Sequence, residues 1–340
     1  MQTFRVFRIA CNTPAVTVAV LAGALAIRGT VIHAQQTTPG AKARAIAATT
    51  AADARDLQGV WANGTITPLV RPKELAGKAV FTPAEAAEYE RTWLTNFRKN
   101  FREEDLMAPD IDYTYMDRLG VVPDRRTSLI TDPADGRLPE PLPAAKARAD
   151  ARPKESRDGP EFQGLAERCL METSFDVSTA APPLVPSPFG QNFYQIVQTP
   201  THVLVFSELI HHARIIRIGG THPPAHVHLW LGDSIGRWEG NTLVVDTTNF
   251  SERTHFRGSG TRLHVVERFT RTSATTIDYR FTVDDPETWA RPWSAAVPFR
   301  ATTERMFEYA CHESNYSLTN VLRGACAEEA RKRPGESPHH

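Results

Sequence analysis

The stretch from Phe193 to Cys311 constrains the fold more than any other part of this chain. Short segments rich in β-branched and aromatic residues succeed one another there: Phe193–Thr199, Val203–Glu208, Ala213–Ile218, Ile235–Glu239, Thr242–Thr247, Arg262–Thr272, Thr276–Val283, Trp293–Arg300 and Arg305–Cys311. Turns at Pro200-Thr201, Glu239-Gly240-Asn241 and Ser273-Ala274 separate several of them. Connections this short join antiparallel neighbours. About nine consecutive strands need two packed sheets or a closed barrel to dispose of their edges. The expected fold is mainly β, an antiparallel meander closed into a β-barrel.

The N-terminal part adds little regular structure to that frame. Asp56-Leu57-Gln58-Gly59-Val60-Trp61 reads as a short strand. Thr82-Pro83-Ala84-Glu85 is a capping box with proline at the first helical position. Tyr89, Trp93, Phe97 and Phe101 follow at spacings of four, which line one helix face. One long helix is therefore expected over 82–105, with its aromatic stripe on a sheet. Residues 106–190 are irregular. Prolines from Pro139 to Pro188 interrupt them, and Asp132-Pro133-Ala134-Asp135-Gly136 forms a turn between Ser128–Thr131 and Arg137–Pro139. Leu318, Val321 and Leu322 give a short amphipathic helix stopped by Gly324, and 326–340 is a charged tail. Residues 56–325 form one domain on this reading.

The first residues point to export. Arg5 and Arg8 precede Ala15–Ile27, an uncharged apolar run, and Ile32-His33-Ala34 offers a cleavage site. That is the pattern of a secretory signal peptide over 1–34, and the run is short of the roughly 20 residues that span a bilayer. Residues 35–55, rich in Ala, Thr and Gln, read as a flexible leader. The expected location is periplasmic or secreted, without stable membrane insertion after cleavage. The chain balances 39 basic against 39 acidic residues. Removing the three arginines of 1–34 leaves the mature chain slightly acidic, which argues against nucleic acid as a partner. Three cysteines remain, Cys169, Cys311 and Cys326. Cys169–Cys311 is the expected disulfide, because both adjoin apolar, strand-like sequence. Cys326, in a charged helix, is then left over.

Two resemblances bear on this frame. Gly59-x-Trp61 ahead of a meander resembles the opening of lipocalin-like (calycin) barrels. Longer phrases are more specific: Arg71-Pro72-Lys73-Glu74-Leu75-Ala76-Gly77-Lys78, Asp124-Arg125-Arg126-Thr127-Ser128-Leu129-Ile130, Trp230-Leu231-Gly232-Asp233-Ser234, Trp238-Glu239-Gly240-Asn241-Thr242-Leu243-Val244-Val245-Asp246-Thr247-Thr248-Asn249-Phe250, His264-Val265-Val266-Glu267-Arg268-Phe269 and Tyr309-Ala310-Cys311-His312-Glu313-Ser314-Asn315-Tyr316. Together they resemble an uncharacterised family of secreted bacterial proteins over about residues 56–330. The resemblance implies one exported domain and brings no reaction with it. Asn241 and Ser314 depart from the family phrase, which has Asp and Gly there, and His226 and His228 lie outside its pattern.

Four constellations could carry chemistry. Glu208, His211, His212 and Arg214 join a carboxylate and imidazoles at a strand end, a workable acid–base pair or else a surface hairpin with a Glu–Arg pair. His222-x3-His226-x-His228 could chelate a metal, but Gly219-Gly220 and Pro223-Pro224 make it mainly loop. In Tyr309-Ala310-Cys311-His312-Glu313, a disulfide at Cys311 would hold His312 rigidly, for catalysis or simply to close a barrel end. Asp246 and Glu267 interrupt apolar strands. Glu267 shares a face with Leu263 and Val265, and His264 shares one with Val266. A carboxylate pointing into a barrel marks a salt bridge or a site, with Arg237, Arg268 and Arg280 as partners.

Gly232-Asp233-Ser234 lacks the later Asp-x-x-His of esterases and the flanking blocks of serine proteases. No P-loop, dinucleotide fingerprint or Gly-x-Ser-x-Gly elbow occurs, so no cofactor is expected. The resulting expectation is an exported hydrolase or lyase acting on a small organic or sugar-like ligand in a barrel pocket. Glu208, His211, His264, Glu267, His312 and Asp246 are its catalytic candidates, and Arg214, Trp238, Glu313 and Asn315 its binding candidates. No metal is expected, His222, His226 and His228 being lesser candidates. The alternative is a non-catalytic, periplasmic lipocalin-like binding protein. Catalysis requires a histidine within about 3.2 Å of a carboxylate, both facing one cavity, and the enzyme reading fails if His211, His264 and His312 all lie on the outside.

Overall fold

The computed structural model describes residues 54–100, 118–150, 159, 162–171, 181–186, 192–253, 256–313 and 315–332. The signal segment 1–34, most of the leader, Phe101–Asp105, Ser314 and the end of the tail lie outside the described residues.

Ten strands make one sheet: β1 (Gly59–Ala62), β2 (Ile130–Asp132), β3 (Phe193–Gln198), β4 (His202–Ser207), β5 (Ala213–Ile218), β6 (Asp233–Glu239), β7 (Thr242–Thr248), β8 (His264–Ser273), β9 (Thr276–Asp284) and β10 (Trp293–Ala301). Their order is β1-β3-β4-β5-β6-β7-β8-β9-β10, and β1 pairs with β10 to close the ring. β2 lies alongside the start of β10, outside the ring. Closure removes the open edges that a meander would otherwise leave.

Nine strands in a ring impose a parity condition. Strands that alternate in direction can close only in even number, so an odd ring must contain a parallel pair. Here it is β5–β6, where Ile216 lies opposite Ser234 and Ile218 opposite Gly236. The expected all-antiparallel meander is corrected at this seam. A parallel pair needs a crossover of about a dozen residues or more, and residues 219–232 supply it. Arg305–Cys311, expected as the last strand, is irregular, and the ring is closed by β1 instead.

Alternation sends one side of each strand inward. Trp61, Tyr194, Phe269, Tyr279, Phe281 and Phe299 are almost completely buried. Successive rings touch, from Phe269–Tyr279 at 4.8 Å to Tyr194–Phe299 at 5.3 Å and Tyr279–Phe281 at 5.7 Å. These aromatic rings fill the part of the barrel they occupy. The Arg271 guanidinium lies 5.6 Å from the Trp61 ring, within range of a cation–π contact.

Helix α1 (Pro83–Asn100) starts at the capping box. The Thr82 N–H donates to Glu85 Oε2 at 2.9 Å, and the Glu85 N–H donates to Thr82 Oγ1 at 3.3 Å. Hydrogen bonds from Lys78 and the Thr82 backbone hold the Glu85 carboxyl at about 2. Tyr89 and Trp93 rest on a satellite cluster of Ile66, Phe81, Ala86 and Val121 rather than on the sheet. Two further helices are α2 (Pro143–Asp150) and α3 (Tyr316–Lys332). α3 runs through Gly324 instead of stopping there. Among the described residues no helix is long and apolar enough to cross a membrane.

Cys169 and Cys311 form a disulfide across 142 residues of chain. Cys326 is not a free thiol, so the expected leftover is corrected.

Candidate functional site

The strongest polar cluster stands on the outer wall of the barrel, at the parallel seam. Alternation turns Arg217 of β5, Asp233 of β6, Asp246 of β7 and His264 of β8 outward, and the crossover lays His222 among them. Asp246 Oδ1 is 3.1 Å from His222 Nε2, and its Oδ2 is 3.1 Å from His264 Nε2. His222 Nδ1 is 2.7 Å from Asp233 Oδ2, which also accepts from Arg217 Nη2 at 2.9 Å. Asp233 is 6% exposed, whereas His264 is 37% exposed. The network therefore runs from a buried carboxylate to a solvent-facing imidazole.

Hydrogen-bond chemistry fixes the roles within it. Ionised carboxylates only accept. Both ring nitrogens of His222 face carboxylates, so both act as donors when these contacts are hydrogen bonds. Donation from His264 Nε2 to Asp246 leaves the His264 Nδ1 lone pair, which has no hydrogen bond among the described residues. A carboxylate that sets the tautomer of an imidazole, with the other nitrogen open, is the orienting half of a catalytic triad.

The crossover is tied down over this cluster. Asn249, at φ 59°, directs its Nδ2 to the carbonyls of Val227 at 2.8 Å, Pro224 at 3.1 Å and Pro223 at 3.4 Å. His228 Nδ1 lies 3.0 Å from the Phe250 carbonyl. Gly232 ends the crossover at φ 69°, and a Cβ there would come within 2.8 Å of Thr247 Cγ2 and the Thr248 carbonyl. Only glycine suits both the dihedral and the space.

The other candidates are scattered. Glu267 points inward, as its alternation predicts, but its partner is Arg214 rather than Arg237, Arg268 or Arg280. Arg214 donates to Oε2 at 2.8 Å and to Oε1 at 3.0 Å. Tyr279 donates to Oε1 at 2.8 Å and accepts the Leu184 N–H at 2.8 Å. Burial and the Glu267 charge push the Tyr279 hydroxyl well above its ordinary value. Arg214 and Glu267 thus form an internal structural pair. Arg237 and Arg268 bond Glu239, and Arg280 bonds Asp278.

Glu208 is buried just beyond β4, and its Oε2 accepts the Phe307 N–H at 3.0 Å. Burial raises its carboxyl, partly offset by that hydrogen bond. His211 is exposed, whereas His212 reaches the Leu170 carbonyl at 2.9 Å and burial lowers its imidazole. His312 and Glu313 are exposed on irregular chain. Asn315 bonds the Glu167 carbonyl at 2.7 Å and accepts the Leu318 N–H at the start of α3. Trp238 packs at the edge of the core with the Arg55 guanidinium 5.7 Å from its ring. His226 and His228 do not join His222, and no group of three metal-ligating side chains is placed to hold a metal among the described residues.

None of His211, His264 and His312 faces the barrel interior, so the enzyme reading as expected, with its histidine and carboxylate in a barrel pocket, is overturned. His264 and Asp246 do meet, on the outer wall. Sequence reasoning missed Asp233 and Arg217, and it placed His222 in a metal set. Asp246, expected with Glu267 to point into the barrel, faces outward instead, and bringing β5 beside β6 needed the parallel seam. No protein-family model matches this chain, and comparisons with curated proteins and with solved structures find no match.

Proposed function

We propose that this protein is an exported enzyme, a hydrolase or lyase, whose acid–base centre is the outer-wall pair His264–Asp246 under the crossover. The observation that carries the proposal is one carboxylate shared by two imidazoles, with a free nitrogen on the more exposed of them. His264 Nδ1 takes the proton of a substrate hydroxyl or an attacking water. Asp246 holds the ring and balances the imidazolium that forms. The same Nδ1–H then returns the proton to the leaving group. His222, Asp233 and Arg217 position Asp246 from behind.

Export as a periplasmic or secreted protein, after loss of 1–34, belongs to the same proposal. The Cys169–Cys311 disulfide supports it, since such bonds persist in oxidising compartments. A lipocalin-like origin is supported by the closed barrel and by Gly59-x-Trp61 at its closing strand.

The test is a substrate screen read by mass spectrometry, with ester, glycoside and hydroxy-acid panels and small-molecule extracts. The expected outcome is turnover by the wild type and by His226→Gln. Asp246→Asn and His264→Gln should fall by about 10²–10⁴-fold, the usual contribution of a positioned acid–base group. Turnover that survives His264→Gln unchanged refutes the assignment. Retention of a ligand without any product favours the non-catalytic reading.

A further inference from the structure

The outward carboxylates of the strands are matched with cations. Asp132, Asp233, Glu239 and Asp278 each accept from at least one arginine, and Asp246 is held by two histidines. Asp284, the last residue of β9, is the exception. Its half-buried carboxylate has no hydrogen bond and no ion pair among the described residues. Taking an ionised group partly out of water without a partner costs free energy. A lone carboxylate in a wall of paired ones therefore needs a reason.

The register supplies one. Asp284 lies directly opposite His264 across the β8–β9 ladder. Buried Phe281 and Val283 alternate with Thr282 and Asp284 along β9, so Asp284 stands beside His264 on the outer face. Residues paired in this way have Cβ atoms about 4.5–5.5 Å apart. The imidazole is thus flanked by two carboxylates. On the β7 side Asp246 meets Nε2 at 3.1 Å. On the β9 side stands Asp284, with which His264 forms no ion pair. A group that gives its proton to His264 Nδ1 is held within the field of Asp284.

An ionised carboxylate accepts hydrogen bonds and repels negative charge. The partner that suits Asp284 is a donor on the substrate, a hydroxyl or an ammonium beside the reacting atom. An acid group there is repelled by Asp284 and Asp246 alike. Arg262, exposed and two residues before His264, would oppose this preference, but it lies in the turn ahead of β8 rather than in the ladder.

We infer that Asp284 selects the substrate at the His264 centre, accepting from a hydroxyl or ammonium next to the reacting atom and excluding acids. The inference rests on the proposed His264–Asp246 centre. It narrows the substrates of that centre to sugar-like or amino-alcohol molecules without an acid group.

The test reads the charge preference at His264 without needing a substrate. The intact protein is alkylated separately with iodoacetate, iodoacetamide and (2-bromoethyl)trimethylammonium, and peptide mass spectrometry gives each rate at His264 relative to the exposed His211. Asp284→Asn speeds the anionic reagent and slows the cationic one, each by about fivefold, the scale of one unit charge at about 4–6 Å near water. The neutral reagent is unaffected. A merely structural loss would move all three rates together. Asp284→Glu keeps the wild-type pattern, and Arg262→Gln does not weaken the discrimination against iodoacetate. In the turnover screen, Asp284→Asn raises KM for hydroxyl- or amine-bearing substrates by about tenfold, as for a lost charge-assisted hydrogen bond, and leaves kcat unchanged. Alkylation rates that Asp284→Asn leaves unchanged, or shifts in one direction for all three reagents, overturn the inference whatever the turnover screen returns. A screen without turnover, with the alkylation pattern intact, overturns the acid–base reading instead.

Discussion

Replacing Glu267 by glutamine tests the internal ion pair at a single atom. The carboxylate lies at 0% exposure against an Arg214 side chain at 2% exposure, with two N–H···O contacts of 2.8 and 3.0 Å. The amide keeps the shape but puts an NH₂ where one oxygen stood. Whichever way it flips, that group meets an Arg214 N–H donor, Nη1 on one side or Nη2 on the other, and in the second case the Tyr279 hydroxyl also loses its carboxylate acceptor. Arg214 stays charged without a counter-charge. Breaking a buried pair from one side costs about 3–5 kcal/mol, and Glu267→Gln should fall in that range. Converting both partners, as Arg214→Met with Glu267→Leu, should recover most of the loss, because a buried pair is seldom better than well-packed apolar side chains.

The assay is equilibrium urea unfolding at neutral pH with disulfides intact, read by far-ultraviolet dichroism. The four proteins of the double-mutant cycle give the coupling energy. The Tyr279 hydroxyl supplies a pH signature. Its raised value means that the native state keeps this proton above pH 10 while the unfolded chain loses it, so stability falls as pH rises through that region. Tyr279→Phe should flatten that fall. A Glu267→Gln variant that loses less than about 1 kcal/mol, the scale of a surface pair, would refute the buried-pair argument.

Four other outcomes follow from the same geometry. Burial raises the Glu208 carboxyl, so its ionised form destabilises the native state at neutral pH. Glu208→Gln should therefore raise the urea midpoint at pH 7, with the gain shrinking towards pH 4. His212 is shifted the opposite way, so the unfolded chain binds its proton first and stability falls as pH drops below about 6.5; His212→Asn should flatten that part of a pH–stability curve. Replacing Cys169 and Cys311 together by serine should cost about 2–4 kcal/mol for a loop this long, measured as a shift in urea midpoint. Asn249→Gly keeps the left-handed backbone but removes three hydrogen bonds to the crossover, so amide exchange should quicken in 219–232 and stay slow in β7 and β8.

Strands were legible where alternation was strict. Ala213–Ile218 has the expected bounds, and β7 and β9 each extend one residue beyond them. Arg305–Cys311 has the composition of a strand but no free edge to join. Its backbone N–H at Phe307 goes to Glu208 instead, and its cysteine goes to Cys169. Gly324 did not end α3, because a glycine within an exposed helix weakens it without requiring a turn. The inward face of Glu267 could be read from period two, but its partner could not. Arg214 reaches it across the barrel interior, and no local spacing encodes that contact. The outer-wall site was hidden for a related reason. His222 lies in a proline-broken loop without periodicity, and its meeting with Asp246 depends on a strand order that only the closed ring reveals.

The odd strand number has a consequence for how such a protein can vary. Each added or deleted hairpin changes the ring by two and leaves the mismatch in place, so the external strap is inherited along with the barrel. Gain or loss of a single strand abolishes the need for the strap, and with it the roof that carries His222. Relatives with even rings should therefore keep the wall and lack this histidine–aspartate cluster, and strand parity alone would sort them.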